Sequence, residues 1–215
     1  MKNTQDLIIF SKLFKKINRN VVLFNEKIKQ QLFKNTIKNE IIIAKPYGLK
    51  LSQIKKDHDY LFNCYKFFLK ELAYNLNIIH KTNKDNRYWE IIIGHWLKSF
   101  LWTIFNRYKT LINIKRDFNI KEVEIINTKK FSYAQNDTFD LNILANNEFF
   151  NFVLLSFIIE ETKIFKYKYS KKKFKKRILL KEKINYKKNI LKDIISNFGN
   201  DIFITDSYIP RKNNF

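Results

Sequence analysis

The stretch NLNIIHKTNKDNRYWEIIIGHWLKSFLWTIFNRY, residues 75–108, contains all three tryptophans of the chain. On a helical wheel, Trp96 returns to within about 60° of Trp89, and a second line carries His95 and Trp102. Apolar side chains therefore cover most of the circumference. This pattern predicts a helix that is buried against neighbours on several sides.

Two further helices flank the tryptophan helix. Residues 58–80, HDYLFNCYKFFLKELAYNLNIIH, place apolar side chains at helical spacing over four turns. KTNKDN breaks this pattern, and Asp85 or Asn86 then offers an N-cap for the tryptophan helix. Residues 146–165, NNEFFNFVLLSFIIEETKIF, predict a later helix whose N-cap is Asn146 or Asn147.

Short β-branched runs alternate with these helices. The predicted strands are NVVLF (20–24), NEIIIAKPYG (39–48, closed by a turn at 46–48), KEVEIINTKKF (121–131) and a strand in NDIFITDSYIP (200–210). The alternation predicts an α/β fold with helices packed on a small parallel sheet. We expect residues 1–162 to form this domain, 163–190 a strongly basic helical or loop segment, and 191–215 a final helix or strand with a tail.

The chain is strongly basic, with 42 Lys or Arg against 20 Asp or Glu and a net charge of +22. Residues 163–188 contain 13 Lys or Arg and one acid. The excess of Lys, Asn, Ile, Phe and Tyr is typical of an AT-rich genome, so part of the charge need not reflect a partner. The basic run is either a solvated segment or a contact for RNA or an anionic membrane surface, which its interleaved aromatic residues favour.

Several classes of site and location are excluded. The single cysteine, Cys64, rules out a disulfide framework and a Cys-based zinc site, and its apolar context predicts a buried thiol. No metal-binding, phosphate-loop or nucleophile motif is present, so we expect no metal and no cofactor. Residues 1–16 lack a signal peptide; they fit a weak amphipathic presequence helix, against which Asp6 argues. The longest apolar run is too short to span a bilayer, and we expect a cytoplasmic protein, at most peripheral to the inner membrane face.

Some residues of the stretch 75–108 are not explained by a buried helix. A buried Arg107 needs a carboxylate, a carbonyl group or an anionic ligand, because an unpaired charge costs several kcal/mol; otherwise it caps the helix end and reaches solvent. Gly94 costs about 1 kcal/mol relative to Ala and predicts the close approach of another backbone or a ligand. His80 and His95 either contact substrate or simply pack.

LNIIH (76–80) followed by RYWEIIIGHWLKSFLWTIFNRY (87–108) resembles a known family pattern. The pattern is LN-x-x-H, then RYW-x-I-x-x-G-x-WL and an Arg–Tyr pair, in a bacterial family of long transferases encoded in loci for surface polysaccharide biosynthesis. Weaker similarity extends over roughly residues 55–210. Two features depart from the family: His95 stands where Pro is usual, and NVVLFNEKIKQQ lacks a Gly–Glu–Trp–Cys-like turn.

The resemblance implies the N-terminal, acceptor-side, Rossmann-like domain of a two-domain glycosyltransferase, with a nucleotide sugar as donor substrate and no cofactor. Arginine would supply fixed, bidentate positive charge for the leaving diphosphate. The polar residues that it places along a cleft are His80, Arg87, Tyr88, His95, Arg107 and Asp206. The structural motif residues are Trp89, Gly94, Trp96, Leu97 and Trp102. The resemblance assigns no catalytic residue.

Three functions remain open at this level. The first is an N-terminal domain or fragment of a carbohydrate transferase, which binds a carbohydrate acceptor or nucleotide sugar and needs a C-terminal half or partner subunit. It predicts His80 and Arg87 near one cleft. The second is a basic RNA-binding protein, such as an organellar ribosomal component. The third is a non-catalytic interaction module derived from the transferase fold.

Overall fold

The computed structural model describes residues 5–13, 20–32, 41–49, 51–131, 137–172 and 174. Residues 1–173 form one compact unit, and residues 174–215 form a second, of which only Phe174 is described. The predicted strand at 200–210, which includes Asp206, therefore lies outside the described residues. So does most of the predicted basic segment after residue 172.

A single sheet forms the centre of the first unit. Its strands are β1 (Gln5–Ile8), β2 (Val21–Leu23), β3 (Ile41–Ile43), β4 (Ile120–Ile125) and β5 (Tyr167–Tyr169). All neighbouring strands are parallel, in the order β3–β2–β1–β4–β5. The predicted α/β fold with a small parallel sheet is confirmed, and its order is the one used by doubly wound sheets.

Two strands differ from the prediction. The sequence predicts residues 20–24 as the first strand, and residues 1–16 fit at most a weak presequence helix, against which Asp6 argues. In the structure, β1 precedes β2 and pairs with both β2 and β4. The sequence of β1 does not reveal that it is a strand, because periodicity over four residues cannot distinguish a short buried strand from a helix. β5 likewise lies in the segment predicted as helix or loop, where pairing with β4 decides its conformation.

The strand order creates a topological switch between β1 and β4. The chain moves outward from β1 to β3, then returns past β1 to β4 and β5. The connections that follow β1 and β4 therefore lead in opposite directions across the sheet, one toward β2 and the other toward β5. In α/β sheets, this divergence leaves a crevice at the carboxyl ends of the strands, where ligands commonly bind.

The described helices include two long antiparallel ones that form a hairpin. The helices are α1 (Glu26–Leu32), α2 (Leu51–His80), α3 (Asn86–Asp117), α4 (Thr138–Leu144) and α5 (Glu148–Thr162). The predicted helix at 58–80 is confirmed but begins earlier, after a turn in which Gly48 adopts a φ of 95° that suits glycine. Asp85 is the N-cap of α3, as predicted, and accepts a hydrogen bond from the Tyr88 amide.

Only the last third of α3 packs on helices other than α2, namely α4 and α5. Thr110, Leu111 and Ile114 are buried there, whereas the earlier part of α3 contacts α2 along one face. Ile91 is 65% exposed and Trp102 is 38% exposed. The prediction of a tryptophan helix buried on most sides is therefore wrong. An apolar circumference does not ensure burial when a single partner helix covers one face.

Helix α5 is the buried core helix of the unit. It is apolar on all sides, and Phe10 of the loop after β1 stacks on Phe152 with ring centroids 4.7 Å apart. Its predicted N-cap, Asn147, is confirmed, and Lys163 ends it in a left-handed conformation. Cys64, predicted to be buried, is only partly buried. Among the described residues, no single helix is both long and apolar enough to cross a membrane; α4 and α5 meet that criterion only jointly, across a 91° bend.

Candidate functional site

Asn77 closes the turn of the α2–α3 hairpin. Its side-chain oxygen accepts hydrogen bonds from Trp89 Nε1 at 3.0 Å, the Thr82 hydroxyl at 2.9 Å and the Lys84 amide at 2.9 Å. Its amide nitrogen donates to the Lys84 carbonyl at 2.8 Å. The sequence analysis missed this residue, although it lies in the LN-x-x-H pattern. The pattern therefore includes the residues that fold the hairpin tip.

His80 and Tyr88 surround Trp89 at that tip. The His80 ring lies 5.8 Å from the Trp89 ring, and Tyr88 meets Trp89 edge to face at 5.2 Å. Both side chains are exposed, and the Lys84 amine lies 5.4 Å from the centre of the Tyr88 ring. These two predicted site residues thus belong to the outer surface of the hairpin turn.

Arg87, Glu90, Tyr65 and Gly94 form one cluster between α2 and α3. Glu90 accepts from Arg87 Nη1 at 2.9 Å and from the Tyr65 hydroxyl at 3.1 Å. The hydrogen bond from Arg87, and to a smaller extent that from Tyr65, lowers the pKa of Glu90. Burial and the hydrogen bond to Glu90 raise the pKa of Tyr65 to about 12. A Cβ atom on Gly94 would lie 2.7 Å from the Tyr65 hydroxyl oxygen. The close approach predicted at Gly94 is therefore made by a tyrosine side chain.

Arg107 joins α3 to α5 and to the connection before it. Its guanidinium donates to Asn151 Oδ1 at 2.8 Å, Asn106 Oδ1 at 2.8 Å and the Ala145 carbonyl at 2.9 Å. Burial lowers the pKa of Arg107, but arginine remains charged in proteins. Because it lies well before the helix end at Asp117, the predicted role as a helix-end cap is wrong. Its described partners are neutral oxygens, and no carboxylate pairs with it among the described residues.

The carboxyl end of β1 is held against the start of α5. Glu148 accepts from the Ser11 amide at 2.6 Å and from the Ser11 hydroxyl at 3.1 Å. Lys27, in the first turn of α1, donates to the Asn146 carbonyl at 2.8 Å. Together with the bond from Arg107 to Ala145, these contacts fix the α4–α5 connection at this edge of the sheet. Sequence reasoning missed them because each joins residues more than thirty positions apart.

A cavity lies between α2 and α3, and we call it the α2–α3 groove. Its volume is about 500 Å³. The residues that line it are His58, Leu61, Phe62, Tyr65, His95, Lys98, Ser99, Leu101 and Trp102. It brings the predicted site residue His95 next to the motif residue Trp102, and His58 joins them from the facing helix. Apolar walls with a few convergent polar groups are typical of small-molecule sites.

Two other motif residues support the groove from behind. Leu97 packs in an apolar cluster with Tyr65 and Leu69, against which Trp96 lies. Trp96 stacks on Phe100 with ring centroids 5.0 Å apart, and its indole N–H has no acceptor among the described residues. These side chains fix the spacing of α2 and α3 and therefore the width of the groove.

A second, smaller cavity of about 210 Å³ lies on the sheet. Charged side chains of three neighbouring strands line it, with Lys168 of β5 paired to Glu122 of β4 and Asp6 of β1 beside them. The hydrogen bond that Lys168 donates to Glu122 is the main cause of the raised pKa of Lys168. None of the predicted site residues that the structure describes lines this cavity.

The predicted site residues lie in three places. His80, Arg87 and Tyr88 are at or near the hairpin tip, His95 is in the α2–α3 groove, and Arg107 is at the carboxyl edge of the sheet. Asp206 lies outside the described residues. Among the residues that are described, no group of three or more His, Cys, Asp or Glu side chains has a metal-binding arrangement. The α2–α3 groove is therefore the candidate site.

Comparison with known proteins identifies a family. The model of a family described as LIC12162 family transferase matches residues 9–215. No curated protein matches the chain, and no solved structure does. The family match covers nearly the whole sequence, including the hairpin and strands β2 to β5, and begins directly after β1. The chain belongs to the LIC12162 family of transferases.

Proposed function

We propose that the chain is the acceptor-side domain of a glycosyltransferase of surface polysaccharide biosynthesis, and that its acceptor sugar binds in the α2–α3 groove. Membership of a transferase family and the doubly wound sheet support the proposal. The observation that carries it is the aromatic lining of the groove, formed by Phe62, Tyr65 and Trp102 beside hydrogen-bonding side chains.

The chemistry of a sugar ring matches this lining. A pyranose ring presents C–H groups on its faces and hydroxyl groups around its edge. The C–H groups can pack on an aromatic ring, which offers a large apolar surface with two rotatable bonds. The hydroxyl groups then meet polar side chains, here His95 and Ser99. The groove volume of about 500 Å³ is within the range of small-molecule sites.

We place the nucleotide-sugar donor at the carboxyl edge of the sheet, near the switch between β1 and β4. A leaving diphosphate needs fixed positive charge. Arg107 is anchored at this edge by three hydrogen bonds, and a guanidinium has five N–H groups. We propose that its remaining N–H groups face the donor phosphates. The donor is a substrate, and the transfer requires no cofactor.

Ligand-observed NMR tests the acceptor site. Saturation transfer from the protein to the methyl glycosides of glucose, galactose and mannose reports which ring protons contact the aromatic lining. We expect at least one glycoside to bind, and Trp102→Ala to weaken it about threefold to tenfold through loss of aromatic packing.

Ile112→Ala is the matched control, because Ile112 is 37% exposed on the same helix and does not line the groove. Binding should be unchanged in this variant. The acceptor proposal is wrong if no glycoside binds the folded protein at millimolar concentration, or if Trp102→Ala and Ile112→Ala bind as well as the parent chain.

A further inference from the structure

The polar side chains of the α2–α3 groove share one chemical property. Among the described residues that line it, none is a carboxylate and none is an amide; the polar ones include His58, Tyr65, His95, Lys98 and Ser99. Tyr65 already donates its hydroxyl proton to Glu90. Lys98 is therefore the fixed charge of the lining, and that charge is positive.

This lining can bind a neutral sugar through His95 and Ser99, but it matches an anionic saccharide better. Each sugar hydroxyl is both donor and acceptor, and aspartate, glutamate, asparagine and glutamine are the side chains that accept most strongly from it. Imidazole and serine can accept a hydrogen bond, but Lys98 only donates. A ligand that brings its own negative oxygens matches these groups better, since hydrogen bonds to a charged acceptor are about twice as strong as neutral ones.

Lys98 is an exposed side chain that contacts the aromatic lining. Its amine lies 4.7 Å from the centre of the Tyr65 ring, a cation–π contact that places the charge beside the aromatic lining. The neighbouring carboxylate, Glu90, is engaged by Arg87 and Tyr65 at 2.9 and 3.1 Å. At the other end, the Asp59 carboxylate lies 3.5 Å from His58 and its side chain is 89% exposed. Negative charge near the groove is thus already paired or points to solvent.

We infer that the α2–α3 groove selects a saccharide that carries an anionic group, with the ring on the aromatic lining and the anion at Lys98. The inference rests on the proposed acceptor function and narrows its substrate class. A uronate carboxylate and a sugar phosphate provide the same chemistry, an oxyanion next to a pyranose ring, and separate probes distinguish the two sources.

Titration calorimetry or ligand-observed NMR with three probes tests the inference. The probes are methyl β-D-glucuronide, glucose 6-phosphate and the neutral methyl β-D-glucoside. We expect at least one anionic probe to bind about tenfold more tightly than the neutral one at low salt. The preference should shrink as added salt screens the open groove.

Lys98→Gln should remove most of this preference while it retains the side-chain stem over Tyr65. Lys115→Gln is the matched control, because it makes the same charge change at an exposed position in the last turn of α3. Circular dichroism establishes that both variants are folded. If glucuronide alone gains affinity the anion is a carboxylate, and if glucose 6-phosphate alone gains it the anion is a phosphate; either result supports the inference.

Two results would overturn it. Equal affinity of the neutral and both anionic probes would remove the inference but leave the proposed acceptor function intact. An anionic preference that survives Lys98→Gln, or that is lost equally in Lys115→Gln, would show that Lys98 is not the residue that recognises the anionic group. Failure of all three probes to bind would instead count against the proposed function itself.

Discussion

At the scale of single residues, Gly94 is explained by the side chain opposite it. A Cβ at this position would lie 2.7 Å from the Tyr65 hydroxyl oxygen and 3.2 Å from Glu90 Cγ. The Tyr65 ring is buried, so the hydroxyl can retreat only by giving up its bond to Glu90. The glycine is needed for this contact, although an alanine would favour the helix by about 1 kcal/mol.

We therefore predict that Gly94→Ala destabilises the chain by up to about 2 kcal/mol, the usual range for overpacking of about 1–3 kcal/mol less a gain of about 1 kcal/mol in helix propensity. Urea unfolding measures the change. In a Tyr65→Phe background the obstructing hydroxyl is absent, and the same substitution should be neutral or stabilising. Equal destabilisation in both backgrounds would contradict this explanation, since the two sites would then be independent.

Two tyrosines, Tyr47 and Tyr65, contribute to how the stability of the fold changes at alkaline pH. Burial, together with bonds to Asp57 and Glu90, raises the pKa of Tyr47 and of Tyr65 to about 12. The folded state thus holds these protons more tightly than the unfolded state, in which tyrosine titrates near 10. Their contribution to stability is complete below pH 10 and is lost as the pH rises towards 12.

We expect an absorbance titration of the phenols to show a late step near pH 12, reduced in amplitude by Tyr47→Phe and by Tyr65→Phe. Tyr74→Phe is the control for the loss of one tyrosine at an exposed position, because the Tyr74 side chain is 66% exposed. A single early step that contains all the tyrosines of the folded chain would refute the prediction.

At the scale of elements, the α2–α3 hairpin depends on one amide side chain. Asn77 accepts three hydrogen bonds and donates one across the turn, so that its loss would leave the Trp89 indole and the Lys84 backbone without partners. Helices of this length do not by themselves fix how they pair. The turn sets the register of α2 against α3, together with the α2–α3 contacts of Tyr65 with Glu90 and Leu97.

Asn77→Ala should therefore destabilise the hairpin by about 1–3 kcal/mol, chiefly the cost of leaving the partly buried Trp89 indole N–H unsatisfied. The fluorescence of Trp89 should shift to longer wavelength, as its ring gains contact with water. Asn75→Ala is the matched control two residues earlier, because Asn75 is exposed and bonds only the Glu71 carbonyl among the described residues. A smaller effect at Asn77 than at Asn75 would contradict the assignment.

At the scale of the whole unit, burial is unevenly distributed. Helix α5 is buried on nearly all sides, and β1 and β2 are central strands with buried side chains. Among the described elements, α2 packs extensively on α3 alone. Exposed aromatic side chains along α2, such as Phe67 and Tyr74 at 61% and 66%, show how little covers its outer side.

We predict that hydrogen exchange separates these regions. Amides of α5, β1 and β2 should be protected longest, while those of α2 and of the first half of α3 exchange earlier through local opening of the hairpin. Mass spectrometry of peptic fragments measures the difference. Saturating the groove with a ligand should slow exchange in the hairpin and leave α5 unchanged; uniform exchange across all helices would contradict this picture.

Several elements of this molecule are predictable from local sequence alone. The long helices α2, α3 and α5 follow from spacing, and the N-caps Asp85 and Asn147 follow from residue types that accept backbone hydrogen bonds. The α/β class follows from the alternation of strands and helices. These features depend on neighbours within a few positions, which is the range that periodicity and capping report.

The candidate site is only partly predictable. His95 and the motif tryptophans are visible in the stretch 75–108, but the groove also needs His58, Phe62 and Tyr65 from α2. Arg87, predicted for a cleft, pairs with Glu90 one turn away. Arg107 was correctly identified as needing a partner, yet the partners are two asparagines and a carbonyl group rather than a carboxylate, an assignment that only packing could make.

The sequence by itself determined the helices, their caps, the α/β class and the family resemblance, because each is written in local spacing. Only the tertiary structure decided that β1 is a central strand, that Gly94 makes room for Tyr65, and that α3 is open on one side. These features arise from pairing and burial between residues that are distant in the chain. The same local pattern is compatible with a buried or an exposed position, and the partner element that packs on it decides between the two.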